Sequence, residues 1–222
     1  MHAVLPAHEA HHALLINPRD SITGTVFYFP GCGSERLHAD IGMAAIFLLL
    51  HVGLRVVLPP KYLCCGYPAR ANAKPDLNTR QELRNTIVFN QIRSMLGHID
   101  FDGCIVSCGT CREALTRIRM MQIFDAPLTD VADFVLTGGL DAAMLGDFLY
   151  HQPCHDSLDG RGERLLQQMA SGHVTGVPHC CSEAGTLALS RPDIAAAMFD
   201  RKRQNLADYG GQTRSAPRLI TN

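Results

Sequence analysis

The side chains of this chain whose number and spacing can do chemistry are its thiols. Eight of the nine cysteines form an ordered series: Cys32, the adjacent pair Cys64-Cys65, Cys108-Gly-Thr-Cys111, then Cys154 and a second adjacent pair, Cys180-Cys181. The first round is complete, with Cys108 lying 43 positions beyond Cys65. The same step from Cys181 passes Asn222, so the second round lacks a closing C-x-x-C. Repeated thiol sets of this kind point to metal or redox chemistry. Cys104 stands outside the series, within an apolar run, and reads as a small core residue.

Cys32, Cys64, Cys65, Cys108 and Cys111, converging from three loops, suit an iron–sulfur cluster, because thiolates are the usual ligands of such clusters. Neighbouring side chains diverge, so Cys64 and Cys65 serve one small tetrahedral ion poorly and a polynuclear cluster better. Two other readings stay open: a structural zinc site of four thiolates with one thiol spare, and a dithiol–disulfide pair at Cys108 and Cys111. The second set offers Cys154, Cys180 and Cys181 as further metal ligands. His151, His155 and His179 beside them read first as ordinary loop histidines. Glu35, Arg36 and Glu183 read as solvated charges that could tune a cluster or bind an anion. His8-Glu9-Ala10-His11-His12 matches the H-E-x-x-H zinc-protease pattern, but it sits in a polar, proline-broken stretch and reads as tail.

Composition excludes several classes. A net charge of −1 and a pI near 6.8 leave no electrostatic footprint for nucleic acid. The longest apolar stretch, Ile41 to Leu54, is broken by His51 and falls short of the ~20 residues of a membrane span, so it reads as a buried helix. No secretory signal is visible, which predicts a cytoplasmic protein, free or held at the inner face of the membrane through partners. In that reducing compartment clustered cysteines hold metal more often than they form disulfides. Gly31-Cys-Gly33-Ser-Glu-Arg36 has arginine where the third glycine of a dinucleotide fingerprint belongs, and there is no Walker motif. A flavin or nicotinamide would therefore reside on another domain or subunit.

The elements that must position these thiols alternate. Thr25 to Phe29, Arg55 to Leu58 and Gly103 to Ser107 read as strands. Ser34 to Leu54 and Arg112 to Phe124 read as helices, and Lys61 to Lys74 as a loop holding the first adjacent pair. Thr79-Arg-Gln-Glu82 fits a capping box opening a helix that runs past Met95. In the second half, Phe148 to Tyr150 and Arg218 to Thr221 read as strands and Gly162 to Ala170 as a helix. Pro192 opens another helix reaching about Tyr209. Such alternation predicts a parallel α/β sheet, with ligands gathered beyond the carboxyl ends of its strands. The expected architecture is α/β: two similar Rossmann-like lobes with parallel sheets in a pseudo-twofold repeat, the second truncated. Residues 1–24 are expected as a flexible tail or linker, 25–145 as the first lobe, and 146–222 as the incomplete second lobe.

Tyr28-Phe-Pro-Gly-Cys32, Cys64-Cys65-Gly66 and Cys108-Gly-Thr-Cys111 together resemble the cysteine-rich CCG domain. That domain occurs in one of the subunits of heterodisulfide reductase, in the iron–sulfur subunit of glycolate oxidase and in lactate-utilisation proteins. Tyr150-His-Gln-Pro-Cys154-His and Cys180-Cys181-Ser-Glu-Ala-Gly185-Thr resemble its second copy. The likeness is nearest to the C-terminal part of FAD-linked D-lactate dehydrogenase-type oxidoreductases. It implies a [4Fe–4S]-type cluster, in some members non-cubane, with zinc in certain copies. Matching positions are Cys32, Cys64, Cys65, Cys108 and Cys111 for the first site, and Cys154, Cys180 and Cys181 for the second. Ser182 in place of the CCG glycine, and the missing C-x-x-C, weaken the second site and point to truncation just before it. The function this predicts is an electron-transfer component of a lactate or glycolate oxidoreductase, dependent on an FAD-containing dehydrogenase domain or subunit. Thiol–disulfide redox at the cluster, as in heterodisulfide reductase, and a zinc-stabilised non-catalytic interaction domain are the alternatives.

Overall fold

The computed structural model of the chain describes residues 12–178, 180–181, 187–210 and 217–221. The H-E-x-x-H pattern apart from His12, and also His179 and Glu183, lie outside the described residues. The fold is mixed α/β with mainly parallel sheets, divided into two compact units, Met1–Leu140 and Asp141–Asn222.

The first unit is built on five strands: β1 (Leu14–Ile16), β2 (Gly24–Phe29), β3 (Leu54–Leu58), β4 (Gly103–Val106) and β5 (Leu128–Asp130). They lie in the order β1-β3-β2-β4-β5, parallel except for β1, which pairs antiparallel with β3. Between them run a π-helical turn (Gly33–Leu37), α1 (Ala39–His51), α2 (Tyr67–Ala71), α3 (Pro75–Met95), α4 (Gly109–Arg117), α5 (Met120–Phe124) and α6 (Val131–Thr137). Side chains alternate across a strand, and β2 shows the consequence. Phe27 and Phe29 join one core with Phe89, Leu115 and Phe124, while Val26 and Tyr28 join another with Ala45, Leu49 and Val135. Helices thus cover both faces of the sheet, which is why β2 reads as one continuous apolar run.

Several expected boundaries move, each for a physical reason. The stretch read as tail supplies β1, because Leu14-Leu15-Ile16 is an apolar triplet able to pair along the exposed edge of β3. The helix expected from Ser34 breaks at His38 into the π-helical turn and α1. Ile41 and Phe47 on α1 are each 47% exposed, so that helix is only half buried. α3 starts at Pro75, four residues before the expected capping box, since proline suits a first turn. α2 occupies part of the expected loop, and the helix expected over 112–124 is two, parted at Arg119 in a left-handed conformation (φ 55°). β5 and α6 have no counterpart among the expected elements; Asp130 ends the strand and caps the helix by accepting from the Ala132 N–H at 2.8 Å.

The second unit holds β6 (Phe148–His151), α7 (Gly162–Met169), β7 (Val174–Gly176), α8 (Leu187–Ser190), α9 (Pro192–Gly210) and β8 (Arg218–Thr221). Its sheet is parallel in the order β7-β6-β8, around Phe148, Tyr150 and Leu166. Gly162 opens α7 where a Cβ would lie 1.8 Å from the Tyr150 hydroxyl, so only glycine fits that approach. Taken by itself, this sheet has the strand preceding its first cysteine in the middle, as β3-β2-β4 does. No helix among the described residues is long and apolar enough to cross a membrane.

Candidate metal centre

Three parallel strands deliver the first thiol set to one edge. After β2, Pro30 and Gly31 (φ +63°) turn the chain and present Cys32. A Cβ on Gly31 would lie 2.8 Å from Cys111 Sγ, so glycine is what lets this turn reach the neighbouring thiol. After β3, Pro59-Pro60 and Tyr62 (φ 68°) lead into Cys64-Cys65, and Gly66 (φ 91°) turns into α2. After β4, Cys108 becomes the N-cap of α4 and Cys111 falls in that helix's first turn.

The sulfurs form one continuous file. Cys32 Sγ lies 4.0 Å from Cys64 Sγ. Cys64 hydrogen-bonds Cys65, Cys65 hydrogen-bonds Cys111, and Cys111 hydrogen-bonds Cys108. Cys65 and Cys111 are buried, whereas Cys32, Cys64 and Cys108 are half-buried. Cys104, on β4, is fully buried and outside the file. Among the described residues no group of three or more His, Cys, Asp or Glu side chains is arranged to hold a single metal ion. A file of five thiols fits a polynuclear centre, where each sulfur can meet a different metal atom.

The electrostatics follow from shared protons. Cys108 is lowered to about 5, chiefly by its hydrogen bond with Cys111 and also by Thr110, whose hydroxyl lies 3.0 Å away. Cys65 is lowered to about 4 by Cys111 and Cys64. Cys111, bonded to both, is pushed well above the ordinary thiol value. Cys32 is pushed up by Cys64 and by burial. Cys64 is pulled down by Cys32, but Cys65 and burial outweigh this and leave it raised. The set therefore offers thiolates at Cys65 and Cys108, and ligation would displace protons from the rest.

Polar side chains that sequence reasoning missed support the loops. Tyr28 and Ser34 hydroxyls each lie 2.8 Å from Ser107 Oγ, tying β2 and the π-helical turn to the residue before Cys108. Asn85, fully buried on α3, donates Nδ2–H to the Cys64 carbonyl at 2.8 Å. Asn78, Gln81 and Asn85 each keep a buried side-chain oxygen without a partner, and Asn78 Oδ1 sits where a Cβ on Gly66 would be 2.9 Å away. Their spacing, three then four residues apart, puts the amides on one helix face. That was the available signal. Glu35 and Arg36 are more than solvated charges: the Glu35 carboxylate accepts the Tyr62 N–H at 3.1 and 3.2 Å, and the Arg36 guanidinium lies 4.2 Å from the Tyr62 ring centroid.

In the second unit Cys154 Sγ lies 3.7 Å from Cys180 Sγ, and Cys154, Cys180 and Cys181 are all exposed. The buried Lys202 ammonium donates to His151 Nδ1 at 3.0 Å, to the Pro178 carbonyl at 2.9 Å and to the Val177 carbonyl at 3.4 Å. It joins the ends of β6 and β7, the strands that lead to these thiols. His151 is therefore a buried structural group rather than an ordinary loop histidine, and burial, then Lys202, lower its pKa. With Nδ1 accepting, the neutral ring carries its hydrogen on Nε2.

Residues 26–116 match the family described as the cysteine-rich domain, CCG. The matched segment lies within the first unit. Over most of its length, the chain is similar to an uncharacterized iron–sulfur protein of Methanococcus maripaludis, 25% identical over 203 residues, covering 83% of this chain and 38% of the relative. It is 24% identical to one of the subunits of the fumarate reductase (CoM/CoB) of Methanothermobacter marburgensis, over 80% of this chain and 36% of that one. Lactate utilization protein A of an Exiguobacterium strain is 22% identical over 84% of this chain and 82% of its own length. The chain thus spans little more than a third of the first two and most of the third. No solved structure gives a significant match. The CCG match encloses Cys32, Cys64, Cys65, Cys108 and Cys111 and stops before the second thiol set.

Proposed function

We propose that the chain is an iron–sulfur electron-transfer component, and that Cys32, Cys64, Cys65, Cys108 and Cys111 hold a [4Fe–4S]-type centre. The observation that carries this reading is the unbroken file of five sulfurs at the carboxyl edge of a parallel sheet. When bound, such a cluster takes up and releases single electrons. The chain's own residues do the rest. Asn85 fixes the Cys64 backbone, the Tyr28–Ser107–Ser34 hydroxyls fix the approach to Cys108, and Gly31 admits the Cys111 sulfur. The names of the iron–sulfur and lactate-utilization relatives support the cofactor and the metabolic context. On this reading an FAD-dependent 2-hydroxy acid dehydrogenase, acting on lactate or glycolate, supplies the electrons as a partner subunit or domain in a reducing compartment. Cys154, Cys180 and Cys181 belong to a second, thiol-poorer set.

Two measurements test this. Anaerobically reconstituted protein is expected to bind iron with acid-labile sulfide, and Cys64→Ser or Cys108→Ser to lose most of both, since each opens a coordination position. Stoichiometric zinc without sulfide would replace the reading with a structural zinc domain. The isolated chain is expected not to reduce dyes with lactate or glycolate, and to become reducible when the cognate flavoprotein is added. Dye reduction by the chain alone would contradict the electron-transfer role.

A further inference from the structure

Beside the first thiol set lies a cavity of about 320 Å³, which holding those thiols does not require. Its walls are mainly apolar, formed by Phe29, Met43, Ile46, Leu58, Pro59 and Leu63 among others. Three contacts frame it. The Glu35 carboxylate holds the Tyr62 N–H, the Arg36 guanidinium lies over the Tyr62 ring, and both fasten the loop after β3 to the π-helical turn. On the other wall, α1 approaches that turn closely at Gly42, where a Cβ would lie 2.2 Å from the Ser34 carbonyl oxygen. Two lining residues, Gly31 and Leu63, directly precede Cys32 and Cys64, whose sulfurs are 4.0 Å apart. An occupant would therefore lie one residue from two of the half-buried thiols.

The lining states what the occupant must be. A cavity of this size is at the small end of ligand sites and takes a compact, ring-sized body. Lys61 and Glu35 are its charged residues and are of opposite sign, so a ligand with net charge gains little. Glu35 is already engaged by Tyr62, whereas Lys61 has no hydrogen bond or ion pair among the described residues. Lys61 is half-buried, so its ammonium is the donor to which a ligand can add a bond, and a ligand bearing an acceptor is favoured over one without. We propose that this cavity binds an uncharged, apolar ring bearing a carbonyl acceptor, the chemistry of a quinone head group, with Lys61 as its polar anchor. The choice of a quinone among such rings rests on the electron-transfer reading; the preference for a neutral ring with an acceptor does not.

Duroquinone is a suitable probe, because its fully substituted ring resists addition by thiols. Calorimetric titration of the full chain, without metal and after anaerobic reconstitution, is expected to show saturable binding of one duroquinone per chain. Met43→Trp, which fills the cavity, should weaken binding at least tenfold, and Lys61→Met roughly three- to tenfold. Anthraquinone-2-sulfonate should bind more weakly than duroquinone. Circular dichroism melting identifies a misfolded Met43→Trp, in which case Lys61→Met decides. Absence of saturable binding, indifference to Lys61→Met, or preference for the sulfonated ring would each overturn the proposal. Binding to the metal-free chain tests the cavity alone, and the iron and sulfide content of the same samples tests the thiol reading, so the two can fail separately.

Discussion

Asn85 shows how much of the site depends on residues that are not ligands. Its amide is fully buried and donates to the Cys64 carbonyl. Asn85→Ala leaves that carbonyl unpaired, which costs about 1–3 kcal/mol for a buried group. The expected result is a lower melting temperature together with faster iron loss from reconstituted protein; unchanged iron retention would separate Asn85 from the site. Cys104 gives a second, opposite case. Burial pushes its thiol up to about 12 from 9.0, so the folded state keeps a proton that the unfolded state releases. The stabilisation is complete below about pH 9 and is lost as pH rises toward 12. Cys104→Ala should flatten that alkaline loss of stability in urea titrations from about pH 8 to about pH 11, and an unchanged slope would assign it elsewhere. The thiols themselves were legible in the sequence because a reactive residue type can be counted and spaced. The bracing roles of Asn85, Glu35 and Arg36 were not, because amides and charges are ordinary on helices and only packing shows which of them face a loop.

Elements decide whether those residues meet. Phe27 on β2 stacks on Phe124 at 4.4 Å and meets Phe89 edge-on at 5.3 Å, so α3 and α5 are fastened to the central strand through aromatic rings. Phe89 is fully buried, and Phe89→Ala is expected to cost about 3–5 kcal/mol, read as a shifted denaturation midpoint. A loss near zero would mean that α3 is not held by this core. Gly42 tests the other face: any side chain there must push α1 away from the Ser34 carbonyl. Gly42→Ala should destabilise by about 1–3 kcal/mol as an overpacked position. The strands that deliver Cys32 and Cys108 were legible because short β-branched and aromatic runs end abruptly at proline, glycine or cysteine. Helix starts were less so. Thr79-x-x-Glu82 satisfies a capping pattern in mid-helix, and only the preceding Pro75 marks the true first turn. β1 was hidden because pairing at a sheet edge, rather than its own three residues, makes it a strand.

At the scale of the molecule, the two units treat their thiols differently. The first buries Cys65 and Cys111 and half-buries their neighbours, behind loops braced by Asn85, Ser107 and Glu35. The second leaves Cys154, Cys180 and Cys181 exposed, although Lys202 braces the strand ends beneath them. Both thiol sets were legible from the cysteine series, but this difference in exposure was not, because spacing says nothing about what covers a loop. Alkylation should reveal it. Thiolate access sets the rate of attack on iodoacetamide, and metal coordination or burial suppresses it. In the anaerobically reconstituted full chain, Cys154, Cys180 and Cys181 are expected to be modified first, the first set only after iron is removed, and Cys104 only on unfolding. Peptide mass mapping over time distinguishes the nine sites. Protection of the second set to the same degree as the first would mean that it too is ligated, with donors beyond its three thiols.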